Sequence, residues 1–132
     1  MIRAGSGAIL IPADAGALFR IKALIERGGE IGMLVDEHFA RGIEVMFFGR
    51  PCLVNPLLAK LARHYECPLY GTRVVRLSDG RYRYLIDDPI DPPRDATGRV
   101  DEQATMQMIT GIIEGWIREH PEQWNWMQRR WR

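Results

Sequence analysis

The segment Asp36-Glu37-His38-Phe39-Ala40-Arg41-Gly42 sets two carboxylates, an imidazole and a guanidinium in one short loop. It follows directly on the apolar run Ile31–Val35, and in open α/β sheets ligands bind beyond the carboxyl ends of strands. Such groups can orient a polar substrate or move a proton. The same residues also suit a solvated loop whose charges pair with one another. Both readings stay open from the residues alone.

A second cluster closes the chain. All four tryptophans lie from Trp116 onward, in GWIREHPEQWNWMQRRWR, and three share the last nine residues with Arg129, Arg130 and Arg132. Guanidinium groups hold phosphate in a bidentate way, and indole rings settle at the headgroup level of a bilayer. Alternatively the rings lock a last helix onto the domain and the arginines stay solvated. Nucleic acid is not expected as a partner. The net charge is only +1, and no broader basic stripe continues the tail.

Other chemistries find little support. His38, Cys52, His64 and Cys67 are zinc-type residues, but only His64 and Cys67 are near each other, so no metal is expected. The cysteines read as small apolar residues, reduced in a cytosolic setting. There is no G-x-S-x-G, P-loop or G-x-G-x-x-G, and Ser6 and Ser78 stand in apparent turns without a base. Nothing resembles a secretory leader, and no apolar run is long enough for a membrane span. Any membrane contact is therefore expected to be peripheral.

The elements that must position these groups follow an α/β order. Gly5–Pro12 reads as a short strand. Asp14 caps a helix over about Ala15–Arg27, which Gly28 and Gly29 stop. Ile31–Val35 reads as a strand buried on both faces. Val45–Phe48 is a second short strand, broken by Gly49-Arg50-Pro51. Asn55-Pro56 starts a helix to about Tyr65. Leu69–Leu77 and Tyr82–Ile86 form a hairpin around Ser78-Asp79-Gly80-Arg81. Asp87–Gly98 is a surface loop, and a long helix runs from about Asp101 to Glu119, ended by Pro121. A last short helix from Glu122 would set Trp124, Met127 and Trp131 on one side. A mixed sheet of about five strands in one domain is expected. An open edge of that sheet could support self-association.

The order GGEIGMLVDEHFARGIEVMFFGRP, NPLLAKLARHYECPLYGTRVVRL, a Pro-rich loop and EGWIREHPEQWNWMQRRWR resembles the bacterial lipid A biosynthesis acyltransferases, nearest the lauroyl or late branch. The terminal HPEQWxWxxRRW is its most specific element. The resemblance implies a three-layer α/β/α fold like that of the glycerol-phosphate acyltransferases, without metal or cofactor. It implies transfer of a fatty acyl chain from acyl carrier protein, or acyl-CoA, to a hydroxyl of the lipid A precursor. It also implies a peripheral place on the cytoplasmic face of the inner membrane. In the family a histidine in H-x-x-x-x-[DE] is the general base. Here His38, His64 and His120 are followed at that spacing by Ile43, Leu69 and Asn125. The chain, residues 1–132, is therefore expected to be the C-terminal part of one acyltransferase domain and inactive by itself. By resemblance Asp36 is the supporting acid of the post-strand loop, with Glu37, His38 and Arg41 near the substrate. Phe47 and Phe48 of the FFG would line the site floor. Arg73 and Arg76 face phosphate or serve as surface charge, and Arg129, Arg130 and Trp131 face sugar phosphate or lipid headgroup. The competing reading is a non-catalytic membrane or acyl-carrier-binding module.

Overall fold

A computed structural model describes residues 9–127 and 129–131. The chain is α/β, with three α-helices and small antiparallel sheets among the described residues. It divides into two compact units, Met1–Met33 and Leu34–Arg132.

The first unit contains helix α1, Ala17–Glu26. Asp14 accepts from the Gly16 N–H at 2.9 Å and pairs with Arg20 at 2.7 Å, which organises the turn before the helix. Gly28, at φ 77°, ends it. The Gly29 N–H reaches the Leu24 carbonyl and the Gly28 N–H reaches that of Ile25, the two bonds of a Schellman motif. Of the strand expected over Gly5–Pro12, residues 5–8 lie outside the described residues and Ile9–Pro12 form no strand.

The second unit holds two hairpins and two helices. Strands β1 (Ile43–Phe47) and β2 (Arg50–Val54) pair antiparallel, with Phe47 opposite Arg50. Helix α2 spans Leu57–Tyr65. Strands β3 (Leu69–Arg76) and β4 (Tyr82–Ile90) form the second hairpin. Helix α3 covers Glu102–Glu119, and a 3-10 turn follows at Pro121–Gln123. The starts of α2 and α3 follow from side chains that bond their first turns. Asn55 Oδ1 accepts from the Leu57 N–H at 3.0 Å, and Asp101 Oδ1 accepts from the Ala104 N–H at 2.9 Å.

Alternation builds the core. Val45 and Phe47 of β1 and Cys52 and Val54 of β2 point inward at period two. They meet Met106, Ile109, Ile113 and Ile117, which recur at helical spacing along α3. A smaller cluster joins Ala62, Leu69 and Val100. Burial raises the Cys52 thiol above its ordinary pKa, which keeps it an apolar filler.

Four expectations are corrected. The run Ile31–Val35 forms no strand, because a strand exists only by pairing and no described strand lies beside it. The sheets are two antiparallel pairs, with no parallel pair among the described residues. Phe48-Gly49 is a turn joining β1 to β2, and Arg50 and Pro51 continue β2 rather than break it. Both turn residues have positive φ, 48° and 71°, as a type I′ hairpin turn requires. Strand β4 extends to Ile90, so the proline-rich loop is shorter than expected. It is also tightened by Asp95, which accepts from the N–H groups of Thr97 and Arg99 and pairs with Arg63.

Candidate functional site: a tail closed over a loop and a turn

The polar loop after Val35 is fixed by the hairpin it precedes. The Phe39 N–H donates to the Leu53 carbonyl at 3.1 Å, and the Gly42 N–H to the Phe39 carbonyl at 2.8 Å. Gly42 allows this approach. A Cβ there would sit 2.0 Å from the Val54 carbonyl oxygen, so any side chain would force the loop off β2.

The C-terminal residues then close over loop and turn through three hydrogen bonds. Trp124 Nε1 donates to Asp36 Oδ2 at 3.4 Å. Arg130 Nη1 donates to the Glu37 carbonyl at 2.8 Å. Trp131 Nε1 donates to the Phe47 carbonyl at 3.2 Å. Phe47 is fully buried beneath them, with its ring centroid 5.6 Å from Trp124 and 5.3 Å from Trp131. The Arg130 guanidinium lies over the same ring at 5.0 Å. Rings and cation thus cover one phenylalanine, an arrangement that joins area burial to cation–π attraction.

The expected short helix from Glu122 is a single 3-10 turn followed by irregular chain. Its residues reach their partners individually: Trp124 and Trp131 pack on Phe47, while Trp126 donates back to the Pro121 carbonyl.

Asp36, Glu37, Phe47, Arg130 and Trp131 come together. His38 is beside them, with its Nδ1 buried and without a partner among the described residues. Arg41 and Arg129 are exposed. Arg130 is only 1% exposed, so it is a buried strut rather than a solvent-facing arm. Its Nε and Nη2 find no acceptor among the described residues. Phe48 sits at the turn, half-buried, against the ring of Phe47 and beneath Arg118 at 4.8 Å. Its backbone N–H donates to Glu114 Oε1 at 2.7 Å. Arg73 and Arg76 belong to the other hairpin. Arg73 pairs with Glu119 at 2.6 Å and stacks on Trp116, which neutralises it locally. The Arg76 side chain is exposed. Arg132 lies outside the described residues.

Two residues missed from sequence belong with this site. Arg50 stacks over the Trp131 ring at 5.3 Å, and Arg118 covers Phe48. Their signal was basic charge near the aromatic run, which reads equally as ordinary surface. A separate cleft of about 340 Å³ is lined by Asp87, Asp88 and Asp91 with Met108 and Ile112, and its carboxylates would repel phosphate. Among the described residues no cluster of His, Cys, Asp or Glu could hold a metal ion, and no helix is long and apolar enough to cross a membrane.

The family described as bacterial lipid A biosynthesis acyltransferase matches residues 1–132, and the chain belongs to it. No curated protein matches the chain.

Proposed function

We propose that this chain forms the acceptor-binding part of a lipid A acyltransferase. In this reading a fatty acyl chain passes from acyl carrier protein, or acyl-CoA, to a hydroxyl of the lipid A precursor at the cytoplasmic face of the inner membrane. The domain is read as the C-terminal part of a three-layer α/β/α acyltransferase. Family membership supports the reaction class. The observation that carries the assignment of the site is the convergence of Asp36, Glu37 and Phe47 under Trp124, Arg130 and Trp131.

Each group then has a task its chemistry suits. Asp36, held by Trp124, is the supporting carboxylate. Arg41 and Arg129, exposed and without a described partner, are the arms for sugar phosphate. Arg130 fixes the loop backbone from within. The transfer needs a base on the acceptor hydroxyl, so that its oxygen can attack the thioester carbonyl and expel the thiolate. No histidine of this chain stands in H-x-x-x-x-[DE]. The second reading is a module that binds lipid or acyl carrier without transfer.

Titration of the purified chain with lipid A precursor in detergent micelles, followed by tryptophan fluorescence, tests the site. A saturable change is expected, weakened roughly tenfold by Arg129→Ala or Arg41→Ala, as loss of one charge-assisted hydrogen bond would do. No change on titration sinks the site. The reading frame upstream of Met1 separates the two readings. An in-frame H-x-x-x-x-[DE] supports the enzyme, and its lack supports the module.

A further inference from the structure

The strand edges of the two hairpins are not treated alike. On β1 the outward main-chain groups are taken by α3: Gln103 donates to the Glu44 carbonyl, Gln107 bonds both groups of Met46, and Glu114 accepts from Phe48. On β2 the Leu53 carbonyl accepts from Phe39, and Pro51 has no N–H to offer. On β3 Gln123 bonds both main-chain groups of Arg76, at 2.8 and 3.1 Å.

Strand β4 has no such cover. The Leu77 N–H donates to the Arg81 carbonyl, which fixes the parity of the ladder. Residues 83 and 85 therefore bond β3, while the main-chain groups of Tyr82, Tyr84 and Ile86 point away from it. Among the described residues none of those groups has a hydrogen-bond partner. These residues are 70%, 62% and 63% exposed. Aromatic and β-branched residues of high strand propensity thus line an open edge.

We propose that β4 pairs antiparallel with β4 of a second copy of this chain, with Tyr84 on the twofold axis. Three features choose this occupant and this register. The three outward positions of each strand meet their counterparts directly, so all the free groups are bonded. Tyr82 falls opposite the partner's Ile86, and the reverse, an aromatic and β-branched pair on each side of the axis. Arg81 falls opposite the partner's Asp87, so the basic turn of one hairpin meets the acidic base of the other twice. Asp87 uses only Oδ2 on Trp116, which leaves Oδ1 for this contact. Pairing through β3 is the poorer choice. Gln123 already occupies both main-chain groups of Arg76. The result is a four-stranded sheet, β3-β4-β4-β3, with the exposed Tyr70, Val74 and Tyr84 continued across the axis.

Sedimentation equilibrium of the full chain is the test. A monomer–dimer equilibrium is expected, and Tyr84→Pro should abolish the dimer. The Tyr84 N–H takes no part in the β3–β4 ladder, so the circular dichroism of the variant should stay that of the parent. Independently, Tyr84→Cys in a Cys67→Ser background should oxidise to a disulfide-linked dimer, and Val74→Cys should not. A chain that is monomeric at every concentration overturns the proposal, as does a dimer that survives Tyr84→Pro. If Tyr84→Pro does not fold, absence of the Tyr84→Cys cross-link decides against it. A monomer that instead floats with phosphatidylglycerol vesicles gives the face to lipid and also overturns it.

Discussion

Gln107 acts on Met46 as a neighbouring strand would. Its Oε1 accepts from the Met46 N–H at 2.8 Å and its Nε2 donates to the Met46 carbonyl at 3.0 Å. Gln103, one turn earlier, reaches the Glu44 carbonyl. Four helical residues rise about 6 Å and two strand residues about 6.6 Å, so side chains at i and i+4 on α3 match alternate residues of β1. A polar helix face thereby closes a sheet edge without another strand.

Gln107→Ala should therefore weaken the fold by about 1 kcal/mol, the net worth of a typical hydrogen bond, since water reaches the half-exposed Met46. Gln107→Glu should cost more, because its carboxylate cannot donate to the Met46 carbonyl. Urea denaturation measures both. Equal stability of Gln107→Ala and the parent would show that the pairing contributes nothing.

Arg130 makes an opposite forecast for a charged residue. Its guanidinium is buried with one carbonyl, one aromatic face and two unpaired nitrogens. A buried charge so poorly compensated is expensive to hold. Arg130→Met, which keeps the packing volume over Phe47, should leave stability within about 1 kcal/mol of the parent or raise it. Arg130→Ala should lose about 2–4 kcal/mol through the cavity it opens. A thermal melt in which Met destabilises as much as Ala would mean the charge itself holds the tail.

These two sites show which parts of the fold were legible in the sequence. Helices α2 and α3 announced themselves through Asn55-Pro56 and Pro121, because caps and breakers act locally. The β3–β4 turn did so through Ser78-Asp79-Gly80. The β1–β2 hairpin did not, although Val45 and Phe47 alternate before the turn and Cys52 and Val54 after it. Its first turn residue is phenylalanine, where a type I′ turn ordinarily takes Asn, Asp or Gly. Ile31–Val35 misled because a continuous apolar run does not specify its secondary structure. Gln103 and Gln107 carry no mark of their role in the sequence, since only the fold reveals an edge beside them. The loop, the FFG and the tail were recognisable as a set from family order. That Arg130 turns inward while Arg129 stays out depends on packing around Phe47, which no local pattern encodes.

Asp95 governs the acid limit of the loop before α3. The Thr97 hydroxyl, then the Arg63 guanidinium, hold its carboxyl well below the ordinary 3.8. A carboxylate depressed in the folded state stabilises at pH above that ordinary value, and the contribution fades as pH falls below it. Stability followed by denaturant midpoint should thus decline below about pH 4, and Asp95→Asn should flatten that part of the profile while lowering stability at pH 7. An unchanged acid limb in Asp95→Asn would assign the decline to other carboxylates.

Phe48 separates stability from function. A bulky residue at φ 48° is strained, by about 1–3 kcal/mol. Asparagine would suit that turn position better but would forgo the contacts with Phe47, Trp126 and Arg118. The half-buried ring is worth about 1–2 kcal/mol, so the two effects nearly cancel. Phe48→Asn should keep its denaturation midpoint close to that of the parent. If the turn helps form the acceptor site, the same variant should bind lipid A precursor roughly tenfold more weakly, because the ring that Arg118 and Trp126 flank is gone. Weaker binding without loss of stability would mark the strain as serving the site. Unchanged binding, with the fold intact, would remove Phe48 from the site and leave it a packing residue alone.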